Sequence, residues 1–398
     1  DADGNLNYNW GYDPENYNVP DRQFAADQKD PLAPILEMKR MIQAYHEAGI
    51  GVIMDVVYNH TYSSFRSPFQ LSVPNYYYRM NYDGSFQDGS GCGNETASEK
   101  EMYRKYMIDS LSYWAGEFGV DGFRFDLMGL HDVDTMNAIR SAMDRIDPRI
   151  LIYGEGWDMG RGLPGQYKAT KGNAHFMPRI AFFNDDERDA VKGAEVYDQI
   201  KKGFVSGQAE EDRIGKALLG SLAFVSYVAP NQVLNYIEAH DNYNLNDLLT
   251  LLHPGESEEE LEKRVYLANA LNLLMQGLCF MQLGQEFQRT KLVATGQNGE
   301  YTDSDYARAR NSYNAQDAVN AIDWNRITRK ADLIAAVRDL IRLKKTAPEF
   351  SCKSYEEIGN QMRIKSSQGG SGLVALESLG ASKKHYCFDN RKKTLEIS

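Results

Sequence analysis

Four short segments carry acids and histidines at spacings that could do chemistry. Gly122-Phe-Arg-Phe-Asp126 reads as a strand, on which side chains two apart share a face. Arg124 and Asp126 therefore project together, while Phe123 and Phe125 pack behind them. A guanidinium beside an inward carboxylate keeps the acid ionised near neutrality, as a nucleophile requires. A structural ion pair is the competing use, but desolvation makes such pairs poor stabilisers. Tyr153-Gly-Glu-Gly-Trp157 sets Glu155 among glycines and aromatics, where apolar surroundings would raise its pKa toward that of a general acid. Trp157 offers a flat face to a ring; a plain turn with an exposed Glu is the alternative. Tyr236-Ile-Glu-Ala-His-Asp-Asn242 adds a third acid, Asp241, between His240 and Asn242. Adjacent strand side chains diverge, so His240 and Asp241 act together only if strand has given way to loop. Asp55-Val-Val-Tyr-Asn-His60 brings Asp55, Asn59 and His60 to another strand end, where capping the next loop is an equally good use. Two carboxylates flanking a scissile bond are the minimum for glycoside hydrolysis. A third acid and two histidines, each able to bind hydroxyls, would complete a sugar subsite.

Composition narrows the field. The 398 residues hold 44 Lys and Arg against 56 Asp and Glu, a formal charge of −12, which is the opposite of a nucleic-acid footprint. No stretch of about eighteen uncharged apolar residues exists to span a membrane as a helix. The four cysteines (Cys92, Cys279, Cys352, Cys387) are scattered and form no CxxC. His60 and His240 are the only histidines near such strand ends, and without HExxH they make no metal site. No cofactor is called for; a calcium ion would be compatible but has no signature in the sequence. The 25 Tyr, 16 Phe and 4 Trp suit sugar-binding clefts as well as cores.

The elements that must position these residues alternate in type. Ile35, Met38, Ile42 and Tyr45 recur at helical spacing over 31–47, with Gly49 as the stop, and a β-branched run over 51–57 follows. Ser98 and Glu101 read as a capping box for a helix carrying Tyr106, Leu111, Trp114 and Phe118 to Gly119. After a strand over 120–125, Asp132 caps a helix with Met136, Ile139 and Met143. Further strands are expected at 150–153, 180–183, 234–237 and 278–283. Repeated strand and helix mean a parallel sheet, either a (β/α)8 barrel or a doubly wound fold. Acids at the C-terminal ends of separate strands, with no GxGxxG, favour the barrel. Six strands are counted where a closed barrel needs eight, so the barrel is expected to be incomplete. After a helix at 331–346, weak alternation around Gly369-Gly-Ser-Gly372 predicts antiparallel hairpins. The domains expected are thus a catalytic barrel over 1–350 and the start of a C-terminal antiparallel β-domain over 351–398, the latter with too few strands to bury its own face.

The four segments, in this order on successive strand ends, resemble the four signature regions of the α-amylase superfamily. Tyr8-Asn-Trp-Gly-Tyr-Asp-Pro14 resembles the heptapeptide of type I pullulanases. The resemblance covers roughly positions 8 to 345. It implies that Asp126 is the nucleophile, Glu155 the acid/base and Asp241 the third carboxylate, holding sugar hydroxyls. Arg124 would support Asp126, and His60 and His240 would bind the same ring. Tyr12 would stack beneath that ring and Trp157 would lie on the leaving-group side, with Leu127 and Asn242 completing the substrate contacts and Asp55 supporting from behind. The implied partner is an α-glucan, cleaved at α-1,6 linkages with retention. In the family two strands and a helix precede the heptapeptide; here Asp1 to Asn7 stand in that place, so the resemblance implies that the first two barrel strands are missing. Two alternatives remain: another superfamily enzyme (isoamylase, α-1,4 amylase or branching transferase), or a non-catalytic carbohydrate-binding protein. The heptapeptide and Met128–Asp132 favour a pullulanase, and the three intact acids favour catalysis.

Overall fold

The computed structural model describes residues 10–196, 199–221, 225–380 and 383–398. Two compact units divide the chain after Phe183, one comprising Gly11–Phe183 and the other Asn184–Ser398 together with Trp10.

In the first unit four parallel strands follow one another in register. They are β1 (Ile53–Val56), β2 (Gly122–Phe125), β3 (Leu151–Gly154) and β4 (Ala181–Phe183). Three helices alternate with them: α1 (Ala33–Glu47), α2 (Glu101–Phe118) and α3 (Val133–Ile146). β1, the end strand, leaves Ile53 38% exposed, whereas every residue of β2 is buried. α2 buries Tyr103, Met107, Leu111, Trp114 and Phe118, and α3 buries Met136, Ile139 and Met143, at the spacings their sequence shows. Gly119 ends α2 in the left-handed conformation at φ 72°, as a glycine does without steric cost.

The capping box is a correction. α2 starts at Glu101 with no side-chain cap. Ser98 is engaged elsewhere: its hydroxyl donates to Asp132 Oδ2 (2.6 Å) and accepts from the Asp132 amide (3.0 Å). Asp132 does cap α3, accepting from Thr135 N at 2.8 Å, and is also bound by Arg104 at 3.1 Å. Its cap thus ties the entries of two helices together.

In the second unit β5 (Val233–Asn235) pairs in parallel with β6 (Leu278–Cys279). Among the described residues all six parallel strands therefore overlap segments expected from sequence, with β3 running one residue past its segment to Gly154 and β5 starting one residue early at Val233. Around them run α4 (Glu211–Leu218), α5 (Leu245–Leu252), α6 (Glu258–Leu274) and α7 (Ala331–Thr346). The hairpins after 350 form a four-stranded antiparallel sheet, β7 (Met362–Ser366), β8 (Leu373–Ser378), β9 (His385–Asp389) and β10 (Thr394–Ile397). The strand count did not limit burial, contrary to expectation. Val374, Leu376, Tyr386 and Phe388 are fully buried in one core with Leu261, Leu271 and Leu340 of α6 and α7, because the helices supply the second layer.

Asp132→Ala should cost about 2 kcal/mol, since it removes an N-cap together with the bonds to buried Ser98 and half-buried Arg104. Burial opposes the Asp132 charge, but its hydrogen bonds and Arg104 outweigh it and hold the pKa below the ordinary value. The folded value being depressed, this stabilisation is present at neutral pH and disappears only as pH falls below the usual carboxylate range. Urea unfolding of the two proteins at neutral and at acid pH checks this; the difference should shrink in acid.

Candidate active site

The strand register places the charges. Asp55, Arg124 and Tyr153 are lateral neighbours across β1, β2 and β3, so their side chains share one face. Asp126 and Glu155 come one residue past the ends of β2 and β3. Their backbone amides still donate to the next strand, Asp126 N to Val56 O (3.0 Å) and Glu155 N to Phe125 O (3.1 Å). The reactive-type carboxylates therefore stand on the last fixed rung of the sheet.

Arg124 binds all three acids. Nη1 donates to Asp55 Oδ1 at 2.8 Å and to Asp126 Oδ1 at 3.1 Å, and Nη2 donates to Glu155 Oε1 at 2.6 Å. The Tyr12 and Phe183 rings lie 5.5 and 5.8 Å from the guanidinium carbon. Burial works against the Arg124 charge, but the carboxylates of Glu155, Asp55 and Asp126 overcome it and raise the pKa well above its ordinary value.

The sequence reading of the two acids is altered at this point. Arg124 was expected to serve Asp126 and to leave Glu155 in apolar surroundings. Instead Glu155, 7% exposed, has the shortest of the three bonds to the guanidinium and also accepts from Leu127 N at 2.9 Å. Burial pushes the Asp126 carboxyl up, against the pull of Arg124 and the Asn59 amide.

Each acid has further supports. Asn59 Nδ2 donates to Asp126 Oδ2 and to Asp126 O, both at 2.8 Å. Asn59 Oδ1 meets His60 Nδ1 at 2.5 Å, and His60 Nε2 is 2.7 Å from Tyr12 O. The Tyr12 hydroxyl donates to Asp55 Oδ2 at 2.5 Å. Tyr17 donates to His60 O at 2.6 Å while its ring stacks on Tyr58, centroids 5.3 Å apart. Leu127 adopts φ 40°, ψ 45°, unusual for a side chain of its size, and that turn aims its amide at Glu155. Trp157 is half-buried and follows a backbone approach that only glycine permits: a Cβ on Gly129 would lie 1.9 Å from Trp157 O.

His240, Asp241 and Asn242 belong to the second unit. The strand has ended at Asn235, so these residues are in loop, as their joint use requires. Asp241 is exposed, with Oδ2 3.6 Å from His240 Nε2. Trp10 meets the His240 ring edge-on at 4.6 Å. The first two residues of the opening heptapeptide, Tyr8 and Asn9, lie outside the described residues. Among the described residues no group of three or more His, Cys, Asp or Glu is arranged to hold a metal, and no helix is long and apolar enough to cross a membrane.

No protein-family model matches the chain. The pullulanase of Bacillus subtilis strain 168 is 38% identical over 356 residues, covering 88% of this chain and 47% of that protein. Pullulanase A of Streptococcus pneumoniae serotype 4 is 30% identical over 406 residues, covering 94% of this chain and 31% of that protein. The crystal structure of the Paenibacillus barengoltzii pullulanase in complex with maltohexaose and α-cyclodextrin superposes with a TM-score of 0.87 at 41% identity, over 96% of this chain and 58% of that one. The chain belongs to the type I pullulanases of the α-amylase superfamily. It spans about half the length of the Bacillus pullulanase and a smaller share of the streptococcal one. Its strand–helix alternation is that of the family's α/β barrel-type domain, followed by the C-terminal β-domain.

Within this pullulanase framework the first unit brings together Tyr12, Asp55, His60, Arg124, Asp126, Leu127 and Glu155. Asn59 was named at its strand end but given no role on Asp126, and Tyr17 was not singled out at all. An Asn directly before a motif His on a strand end was the available signal for Asn59. Tyr17 gave none, because its role depends on how the loop after the heptapeptide folds back.

Removing the guanidinium and removing a carboxylate should have opposite effects on stability. Arg124→Met leaves three acids crowded without a cation and should cost roughly 3–5 kcal/mol. Asp126→Asn should leave the thermal midpoint unchanged or raised at neutral pH. The folded-state pKa of Asp126 is raised, so the folded form holds the proton more tightly and loses stability as pH rises through the aspartate range, a loss the neutral amide escapes. Calorimetry of both variants reads the two signs.

Proposed function

We propose that the protein carrying this chain is a debranching glycoside hydrolase that cleaves α-1,6-glucosidic linkages in pullulan-type α-glucans with retention of configuration. The observation that supports this best is the pair of acids on adjacent strand ends, Asp126 and Glu155, bridged by a single buried guanidinium. Relatives named pullulanase, including one solved with maltohexaose and α-cyclodextrin, support the substrate class.

Asp126 acts as the nucleophile. Arg124 and Asn59 hold its two oxygens, Oδ1 and Oδ2 respectively, so the side chain cannot rotate away from an anomeric carbon. Its attack forms a covalent glycosyl-enzyme, and the glycosidic oxygen leaves with the proton of Glu155. Glu155 then takes a proton from water, which hydrolyses the ester and restores the starting configuration. For the first step Glu155 must hold a proton, so it has to leave Arg124. Substrate binding desolvates the site, where a second carboxylate anion beside Asp126 is disfavoured, and so favours that release. Asp241, with His240 and Asn242, binds ring hydroxyls and strengthens its hold as positive charge develops at the anomeric centre. His60 binds ring hydroxyls, Tyr12 gives the ring a stacking face, and Trp157 packs on the leaving-group side. The two-step displacement draws only on side chains of the protein.

Pullulan should yield maltotriose, released as the α-anomer and seen by NMR before mutarotation. Release of the β-anomer, or cleavage of linear α-1,4 glucan with pullulan left intact, would overturn the proposal. Glu155→Gln should lower turnover by roughly 10²–10⁴-fold. A crystal structure of the complete protein should place the Asp126 and Glu155 carboxyls about 5–5.5 Å apart, the retaining spacing; a separation near 9 Å would contradict it.

A further inference from the structure

The segment that presents Asp241 is irregular from Tyr236 to Asn244, so its backbone groups find partners outside any helix or strand. Two of its carbonyls go to one lysine. Lys291 Nζ donates to His240 O at 2.9 Å and to Asn242 O at 2.6 Å, the residues on either side of Asp241. Asn242 is left-handed at φ 61°, which turns the chain so that both carbonyls point the same way.

Lys291 is itself fixed. Its side chain is 1% exposed, and its own amide donates at 2.8 Å to Asp247 Oδ2. Asp247 is fully buried in the first turn of α5 and also accepts from Thr290 Oγ1. Burial pulls the Lys291 ammonium down to about 8 despite Asp247 and Asp241 nearby, so the charge is kept at a cost. A second buried lysine, Lys192, donates to the next carbonyl along, Tyr243 O, at 2.9 Å, and pairs with Glu195 at 3.0 Å. Its contact lies two residues beyond Asp241 and touches neither flanking carbonyl.

We propose that Lys291 is a positioning residue for the third carboxylate: by binding the carbonyls on both sides of Asp241, its ammonium sets the direction in which that carboxylate is offered to the sugar. This rests on the reading of Asp241 given above. An exposed loop held only by water would sample several directions, and misplacement of a catalytic group by about 1 Å can cost 10²-fold in rate. An ammonium suits the task because it has three donors and no acceptor, so it can serve two carbonyls at once.

The test uses Lys291→Met, Lys192→Met, Asp241→Ala and the double variant Lys291→Met/Asp241→Ala in the complete gene product, measuring kcat and KM on pullulan together with the thermal midpoint. Lys291→Met should lower kcat by about 10–100-fold with KM changed by less than about 3-fold. The double variant should be no slower than Asp241→Ala alone, because the lysine acts through that acid. Lys192→Met should lose stability while keeping kcat within about 3-fold of the parent. Lys291→Arg keeps charge and donors, should recover part of kcat, and serves if the Met variant does not fold. A Lys291→Met protein with a lowered thermal midpoint and parental kcat would reduce Lys291 to a structural role and overturn the proposal, as would a folded Lys291→Arg protein with no more turnover than Asp241→Ala, or losses that multiply in the double variant. Parental turnover by Asp241→Ala would instead remove the reading of Asp241 on which the proposal rests.

Discussion

One buried cation organises the first unit. Arg124 is the point at which Asp55, Asp126 and Glu155, from three adjacent strands, can be brought to one face without mutual repulsion unfolding it. Three carboxylates against one guanidinium leave excess negative charge, so the balance is struck in pKa. The arginine is held charged, and burial lifts Asp126. Acids whose pKa is perturbed around one buried cation mark a candidate functional site. The same arrangement is a poor stabiliser, which is a physical reason to read it as functional.

The supports around that cation follow from strand geometry. Parallel pairing in register sets Asp55, Arg124 and Tyr153 side by side, and the first residue past each strand end inherits the direction of the sheet. What the sheet cannot fix, local turns do: the left-handed Leu127 aims an amide at Glu155, and Asn59 clasps Asp126. In the second unit no strand reaches Asp241, and the lysine clamp takes over what the sheet does elsewhere. Asp126 and Glu155 are thus held at their carboxylates, and Asp241 through the carbonyls on either side of it.

Much of this was legible in the sequence because the signals were strong and local. Apolar runs located the six parallel strands, and helical spacing located α1, α2, α3 and α7 but not α4, α5 and α6; Asp132 was correctly read as a cap. The pair Arg124 and Asp126 could be placed on one face from strand periodicity alone. The failures share a cause. Ser98 has the residue type of a cap, but its hydroxyl went to Asp132, a partner 34 positions away that no local pattern encodes. Arg124 turning to Glu155, Tyr17 reaching His60, and Lys291 reaching the Asp241 loop are likewise contacts between segments far apart in the chain. The C-terminal sheet was judged by its own strand count, whereas its burial depends on helices earlier in the chain.

The central claim is that Asp126, held by Arg124 and Asn59, forms the covalent bond to the sugar. Trapping decides it most directly: a slow-reacting fluorinated maltosyl fluoride is incubated with the complete protein, and the labelled peptide is sequenced by mass spectrometry. The account predicts one sugar per protein, esterified to Asp126. A label on Glu155 or Asp241, or turnover with no covalent intermediate and inverted product, would contradict it.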